Sequence, residues 1–159
     1  MACVLKLEPL TVEAFTPFGD VLEYRLGNHP RRNFAAELFN ERGGARPNLR
    51  VQRTQPTRLP LDMTLIERHR HSSQMFAPLS GGSYLVVVFP SALDGSPLLN
   101  EGRAFAAEGN QAINYHRDIW HHGFAALGGA GTFLMLRWED GSLGDEEFLP
   151  LAAPIRVEG

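Results

Sequence analysis

Five of the six histidines fall in two short clusters, Glu67-Arg68-His69-Arg70-His71 and His116-Arg117-Asp118-Ile119-Trp120-His121-His122. Imidazole is the commonest protein metal ligand and titrates near neutrality. The clusters are about fifty residues apart, each beside a strand-forming run. On separate strands they can build one site from two walls of a β-barrel. Alternation puts Glu67, His69 and His71 on one face of a strand and Ile66, Arg68 and Arg70 on the other. Met63 and Leu65 share the face of Glu67, so that face begins as core and becomes polar toward one end, as at the mouth of an apolar barrel. The second cluster and its approach supply Asn114, Tyr115, His116, Arg117, Trp120, His121 and His122. If that segment is extended, one of His121 and His122 points away from any shared site. Simpler readings stand beside these: an exposed strand end for the first cluster, and for the second a core Trp120 with histidines decorating a turn.

The elements that must position these residues are brief. Gly and Pro recur at short intervals and punctuate the chain. Val4 to Glu8 reads as a strand, and Thr11 is placed to cap a short helix, Val12 to Phe15. Asp20 to Tyr24 looks extended, Gly27 to Asn33 is polar, and Phe34 to Phe39 fits strand or helix. Leu49 to Gln55 and Met63 to His69 alternate. Tyr84 to Phe89 is apolar on both faces, as in a central strand, and follows a Gly81-Gly82 turn. Arg103 to Ala107, Ala112 to Tyr115 and Thr132 to Trp138 complete the set. Short strands between turns, one short helix and no long amphipathic helix predict an all-β sandwich or small barrel.

The length of 159 residues fits one domain over 1–159, large enough to bury about two-thirds of its unfolded surface. A net charge of −3 with interspersed signs gives no footprint for nucleic acid. The longest apolar run, Tyr84 to Phe89, is too short to span a membrane. The first residues lack the pattern of a secretory signal, and Cys3 is the single cysteine. A reducing cytoplasm is therefore the expected compartment, with no disulfide and no thiolate metal cage.

His69-Arg70-His71, followed by Gln74 and then, after six intervening residues, by Gly81, resembles the first motif of the cupin superfamily. Gln74 stands one residue early, in place of the usual acid. Gly109 followed by His121 has approximately the spacing of the second motif. A closer resemblance is to the ureidoglycolate lyases, formerly described as ureidoglycolate hydrolases. It is carried by Phe15-x-x-Phe18-Gly19-Asp20-Val21, Gln55-Pro56 with Leu59-Pro60-Leu61, Glu67-Arg68-His69, Gln74-x-Phe76-x-Pro78 and Asn114-Tyr115-His116-Arg117-x-x-Trp120-His121-His122. That resemblance implies a double-stranded β-helix (jelly-roll-like) barrel, a divalent metal, a homodimer and a place in allantoin breakdown. Its pattern carries His69 and Gln74 and does not require His71.

The implied reaction splits ureidoglycolate into glyoxylate and urea. A metal held by His69, Gln74 and His121 would chelate the substrate carboxylate and hydroxyl and acidify the hydroxyl. Nickel, iron, manganese and zinc all suit imidazole and amide ligands. Arg53 or Arg117 would pair with the substrate carboxylate. Glu67 or His116 would move the proton, and Asn114 and Tyr115 offer hydrogen bonds to the urea end, with Trp120 beside them. Structural roles compete: Glu67 can pair with Arg53 or Arg68, Tyr115 can be core, and Arg137 reads as structural. Rival functions are another cupin activity, such as a dioxygenase or isomerase, an amidohydrolase releasing ammonia from the same substrate, and a cupin that binds a small acid without changing it.

Overall fold

The computed structural model describes residues 3–23 and 37–159. The readings for Gly27 to Asn33 and for Phe34 to Ala36 lie outside them. In chain order the elements are β1 (Val4–Pro9), α1 (Val12–Phe15), β2 (Gly19–Glu23), β3 (Arg46–Thr54), β4 (Pro56–Thr57), β5 (Leu61–Arg68), β6 (Gln74–Ser80), β7 (Tyr84–Phe89), β8 (Arg103–Ala107), β9 (Gln111–Tyr115), β10 (Trp120–His121), β11 (Ala125–Leu127), β12 (Gly131–Glu139) and β13 (Glu147–Glu158).

One sheet runs β10-β5-β13-β1-β8-β7-β11-β4, and β10 also pairs with β7, so six of its strands close into a ring. The other sheet runs β2-β9-β6-β12-β3. This is the all-β barrel that the short strands and the cupin resemblance predicted.

β7 explains how the two sheets share a core. Tyr84, Val86 and Val88 pack with Phe15, Phe76, Phe105, Tyr115 and Phe133. Leu85, Val87 and Phe89 pack on the opposite side with Met63, Ile66, Trp120 and Ile155. Each side chain so buried contributes roughly 1.5–3 kcal/mol, which is why an apolar run on both faces belongs in the middle. The α1 cap also forms as expected, with Ala14 N–H donating to Thr11 Oγ1 at 3.1 Å.

Five strands had no counterpart in the sequence reading: the short β4, β10 and β11, and the longer β6 and β13, both of which contain proline. β13 pairs with β5 across an irregularity between Pro150 and Ile155. β6 holds Pro78 where its ladder with β12 shifts register. Proline cannot donate to a ladder and collects at such breaks, so neither segment carries an uninterrupted strand pattern in the sequence.

The expected alternation through His71 fails. β5 ends at Arg68, and Arg70 and His71 form a turn. Beyond the turn, Ser72 bridges to Asn40 and Glu41 N–H donates to His71 C=O at 3.1 Å. These bonds draw His71 away from the face of Glu67.

Candidate metal centre and cavity

Glu67 sits near the end of β5, directly opposite His121 of β10 in antiparallel register. Cross-strand partners project to the same side, so the pairing joins the first histidine cluster to the second. His69 follows one turn of pleat later. Ligand atoms of Glu67, His69 and His121 lie within 4.8 Å of one another. The two imidazoles are 3% and 1% exposed, with ring centroids 5.7 Å apart.

Both rings are fixed from behind. His69 Nδ1 lies 2.7 Å from the Asp145 carbonyl oxygen, and His121 Nδ1 lies 2.9 Å from that of Ile119. A carbonyl only accepts, so each Nδ1 carries a proton and each ring turns its Nε2 inward. Neither Nε2 has a hydrogen-bond partner, and neither does the buried Gln74 Oε1. His121 Nε2 is 3.3 Å from Glu67 Oε1, a spacing at which a shared cation, either a proton or a metal ion, joins the two. Burial first, and then the charge of His121, push the His69 pKa down to about 4, which keeps the ring neutral and able to ligate near pH 7. Burial alone would raise the Glu67 carboxyl, but the adjacent His121 and His69 imidazoles, which stabilise the carboxylate as donors and charges when protonated, hold it well below the usual range. Inward lone pairs, a carboxylate and no matching donors fit a divalent metal.

The centre opens into a cavity of about 490 Å³ lined by Glu67, Gln74, His122, Arg50, Arg137 and Glu146, with Phe76, Phe124 and Met135 among its apolar walls. Arg137 enters from β12 on the face of Phe133 and Met135, and its Nη1 donates to Glu146 at 2.9 Å. Arg50 enters from β3 and donates to Glu139 at 3.2 Å. Burial, followed by the charge of Glu67, raises the Glu146 pKa, against the opposing Arg137. The sequence reading missed Arg50 and Glu146 and took Arg137 as structural. Strand parity carried a signal for Arg137, since it alternates in step with two core residues.

The other predicted site residues are placed as follows. Gln74 lines the cavity, its Nε2 3.6 Å from Met135 Sδ. Tyr115 is buried and stacks on His121 with centroids 4.2 Å apart, acting as a backing. Trp120 lies in the second core, donates to Gly95 C=O at 3.0 Å and receives the Arg68 guanidinium over its ring at 4.3 Å. Arg53 is exposed on the outer face of β3, because it alternates with Arg50 and Gln52. Asn114 donates to Asp20 at 2.9 Å and to Glu37 C=O at 3.0 Å, on the side of β9 opposite Tyr115. His116 pairs with Asp20 at 3.3 Å and Arg117 with Glu41 at 2.6 Å; both line a separate cleft with Glu37 and Phe39. The structure therefore brings Glu67, His69, Gln74 and His121 together and leaves Arg53, Asn114, His116 and Arg117 outside the cavity. His122, left open against His121 in sequence, also reaches the cavity wall.

A family model described as ureidoglycolate lyase matches residues 2–158. The chain belongs to the ureidoglycolate lyase family. Curated relatives agree. A ureidoglycolate lyase of Burkholderia mallei is 40% identical over 156 residues, covering 92% of this chain and 89% of its own. One from Pseudomonas aeruginosa is 37% identical over 153 residues, covering 91% and 89%. "Ureidoglycolate lyase 1" of Rhizobium meliloti is 36% identical over 156 residues, covering 93% and 90%. Among solved structures, a dTDP sugar isomerase from Desulfovibrio desulfuricans aligns with a TM-score of 0.49 at 18% identity, covering 86% of this chain and 84% of its own. For this member of the family, His69, His121, Glu67 and Gln74 are the residues to which a metal question must be put.

Proposed function

We propose that the chain is a carbon–nitrogen lyase that cleaves ureidoglycolate to glyoxylate and urea. The observation that carries the reading is the family match over nearly the whole chain, and the cavity supplies a chemical setting for it. His69 and His121, with Gln74 or Glu67 completing the set, would hold a divalent metal. When bound, such an ion polarises the substrate oxygens and lowers the pKa of the hydroxyl.

The chain's own groups do the rest. Arg137 and Arg50 bring guanidinium forks into the cavity, suited to a bidentate grip on the substrate carboxylate. They replace Arg53 and Arg117 in that role, since they line the cavity and those two do not. Glu67 and Glu146 are hydrogen-bonded carboxyls on the same wall. Between them they can take the hydroxyl proton and return it to nitrogen. As the O–H proton leaves, the hydroxyl carbon becomes a carbonyl. The C–N electron pair passes to nitrogen, and nitrogen takes one proton, so urea departs without any water being consumed. Phe76, Phe124 and Met135 supply the apolar part of the wall around this site.

Homodimer formation accords with Leu49 and Val51, which are 61% and 63% exposed on the outer face of β3. Placement in allantoin breakdown rests on the substrate.

The test is release of urea, glyoxylate and ammonia from ureidoglycolate after chelation, with single divalent metals restored and uncatalysed decay subtracted. Equal urea and glyoxylate without ammonia is the expected result. Ammonia would reassign the chain as an amidohydrolase, and no rate above background with any metal would reject the reading.

A further inference from the structure

Arg42 does not line the cavity and touches none of its reacting groups. It nevertheless stands behind His69. The Asp145 carbonyl that receives His69 Nδ1–H at 2.7 Å belongs to the connection between β12 and β13. That connection folds around the Asp145 carboxylate, which accepts the N–H groups of Asp140 at 3.0 Å and Gly141 at 2.8 Å. Gly141 has φ +80°, a left-handed conformation that favours glycine at this turn. One guanidinium clamps both ends of it. Arg42 Nη1 pairs with Asp145 at 2.7 Å and Asp140 at 3.2 Å, and Nη2 donates to Trp138 C=O at 3.1 Å. The side chains of Arg42 and Asp145 are only 15% and 12% exposed.

The segment that carries Arg42 is itself stitched to the loop that carries His69. Ser73 N–H donates to Phe39 C=O at 2.9 Å and Glu41 N–H to His71 C=O at 3.1 Å. The Glu41 carboxylate meets His71 at 2.5 Å and Arg117 at 2.6 Å. One strap, Phe39 to Arg42, therefore braces the ring of His69 from two directions: through its own loop, and through the turn whose carbonyl fixes its proton.

We propose that Arg42 is a positioning residue that sets the tautomer of His69, holding the Asp145 carbonyl where it keeps the proton on Nδ1 and leaves Nε2 free for a metal. The inference rests on the reading of His69 as a ligand, and it needs no assumption about the substrate. Outer partners of this kind typically change metal affinity about 10–100-fold. Arg is suited to the task because its planar fork reaches two carboxylates and a carbonyl at once.

The experiment is two-bond proton–nitrogen correlation NMR of the histidine rings in chelated protein, with His69→Asn used to assign the signals. Competition with a chromophoric chelator for nickel and zinc accompanies it. Wild type should show His69 protonated at Nδ1. Arg42→Ala should give mixed tautomers and metal affinity lower by about 10–100-fold, and Arg42→Lys should restore part of both. Asp145→Asn, which keeps one acceptor oxygen for the backbone N–H groups, should move the same signals less and serves if Arg42→Ala does not fold. A wild-type His69 protonated at Nε2, or a folded Arg42→Ala with unchanged tautomer and affinity, overturns the proposal. Absence of metal binding by wild type would reject His69 as a ligand, while the tautomer signals still decide the role of Arg42.

Discussion

His69 and His71 are two residues apart, and the structure gives them opposite surroundings. His69 is buried, its Nδ1 proton given to a backbone carbonyl and its Nε2 without a partner. His71 is half-exposed and paired with Glu41 at 2.5 Å. The second cluster repeats the contrast: His121 points into the barrel toward Glu67, and His116 turns out to Asp20. The inward pair is held at Nδ1 by backbone carbonyls, which fix each ring with its Nε2 facing the barrel interior. The outward pair meets carboxylates, and at His71 that contact ties two loops together. An ion pair and a ligand site are thus built from the same residue type by the choice of acceptor.

The largest effect should come from breaking the inward side. His121→Ala or His69→Ala should lower kcat/KM for ureidoglycolate by about 10²-fold or more, the scale of several kcal/mol of metal-derived stabilisation. Retained metal and activity in either variant would remove the contrast. Next is Arg137→Ala. Loss of a charged hydrogen bond, about 1.5–3 kcal/mol, should raise KM about 10–100-fold, whereas Arg53→Ala should leave it near wild type. Equal effects would return Arg53 to the site.

Acid should separate the two sides in the chelated protein. The folded pKa of His69 is lowered to about 4, so between the ordinary value near 6.5 and 4 the unfolded chain binds more protons. Stability must therefore fall as pH drops through that window, and the same sign holds for His122, whose burial lowers its pKa. Glu41, lowered chiefly by its hydrogen bond with His71, stabilises above the unfolded carboxylate value and loses that contribution only at lower pH. Urea unfolding from pH 7 to 4 should show the slope, reduced in His69→Asn; an unchanged slope would assign it elsewhere. The smallest effect belongs to His71→Ala. Activity should stay within about twofold and stability within about 1 kcal/mol, as for partly exposed ion pairs.

Much of the frame was legible where one local rule decided it. Thr11 announced the cap of α1, and six apolar residues in a row announced β7 as the strand between two cores. β6 and β13 were hidden because Pro78, Pro150 and Pro154 are accommodated at ladder irregularities that only partner strands define. Within the site, Glu67 and His69 followed from alternation. His71 did not, because alternation holds only while a strand stays in its ladder, and the strap from Phe39 to Arg42 ends that ladder. Arg137 was obscured differently: its alternation with Phe133 and Met135 pointed inward, but a charge facing a core gains its meaning from the cavity beside it.

The sequence by itself determined the residue types, the short strands and a family resemblance carried from Phe15 to His122. Those features depend on neighbours along the chain, where pleat, caps and turns are set by local sterics and hydrogen bonding. Only the tertiary structure decided which members of each cluster meet. Two residues, Trp120 and His121, pair with both β5 and β7, and that closure sets His121 opposite Glu67 across more than fifty residues of chain. Such a pairing is fixed by the register of a closed barrel, which no stretch of sequence contains alone.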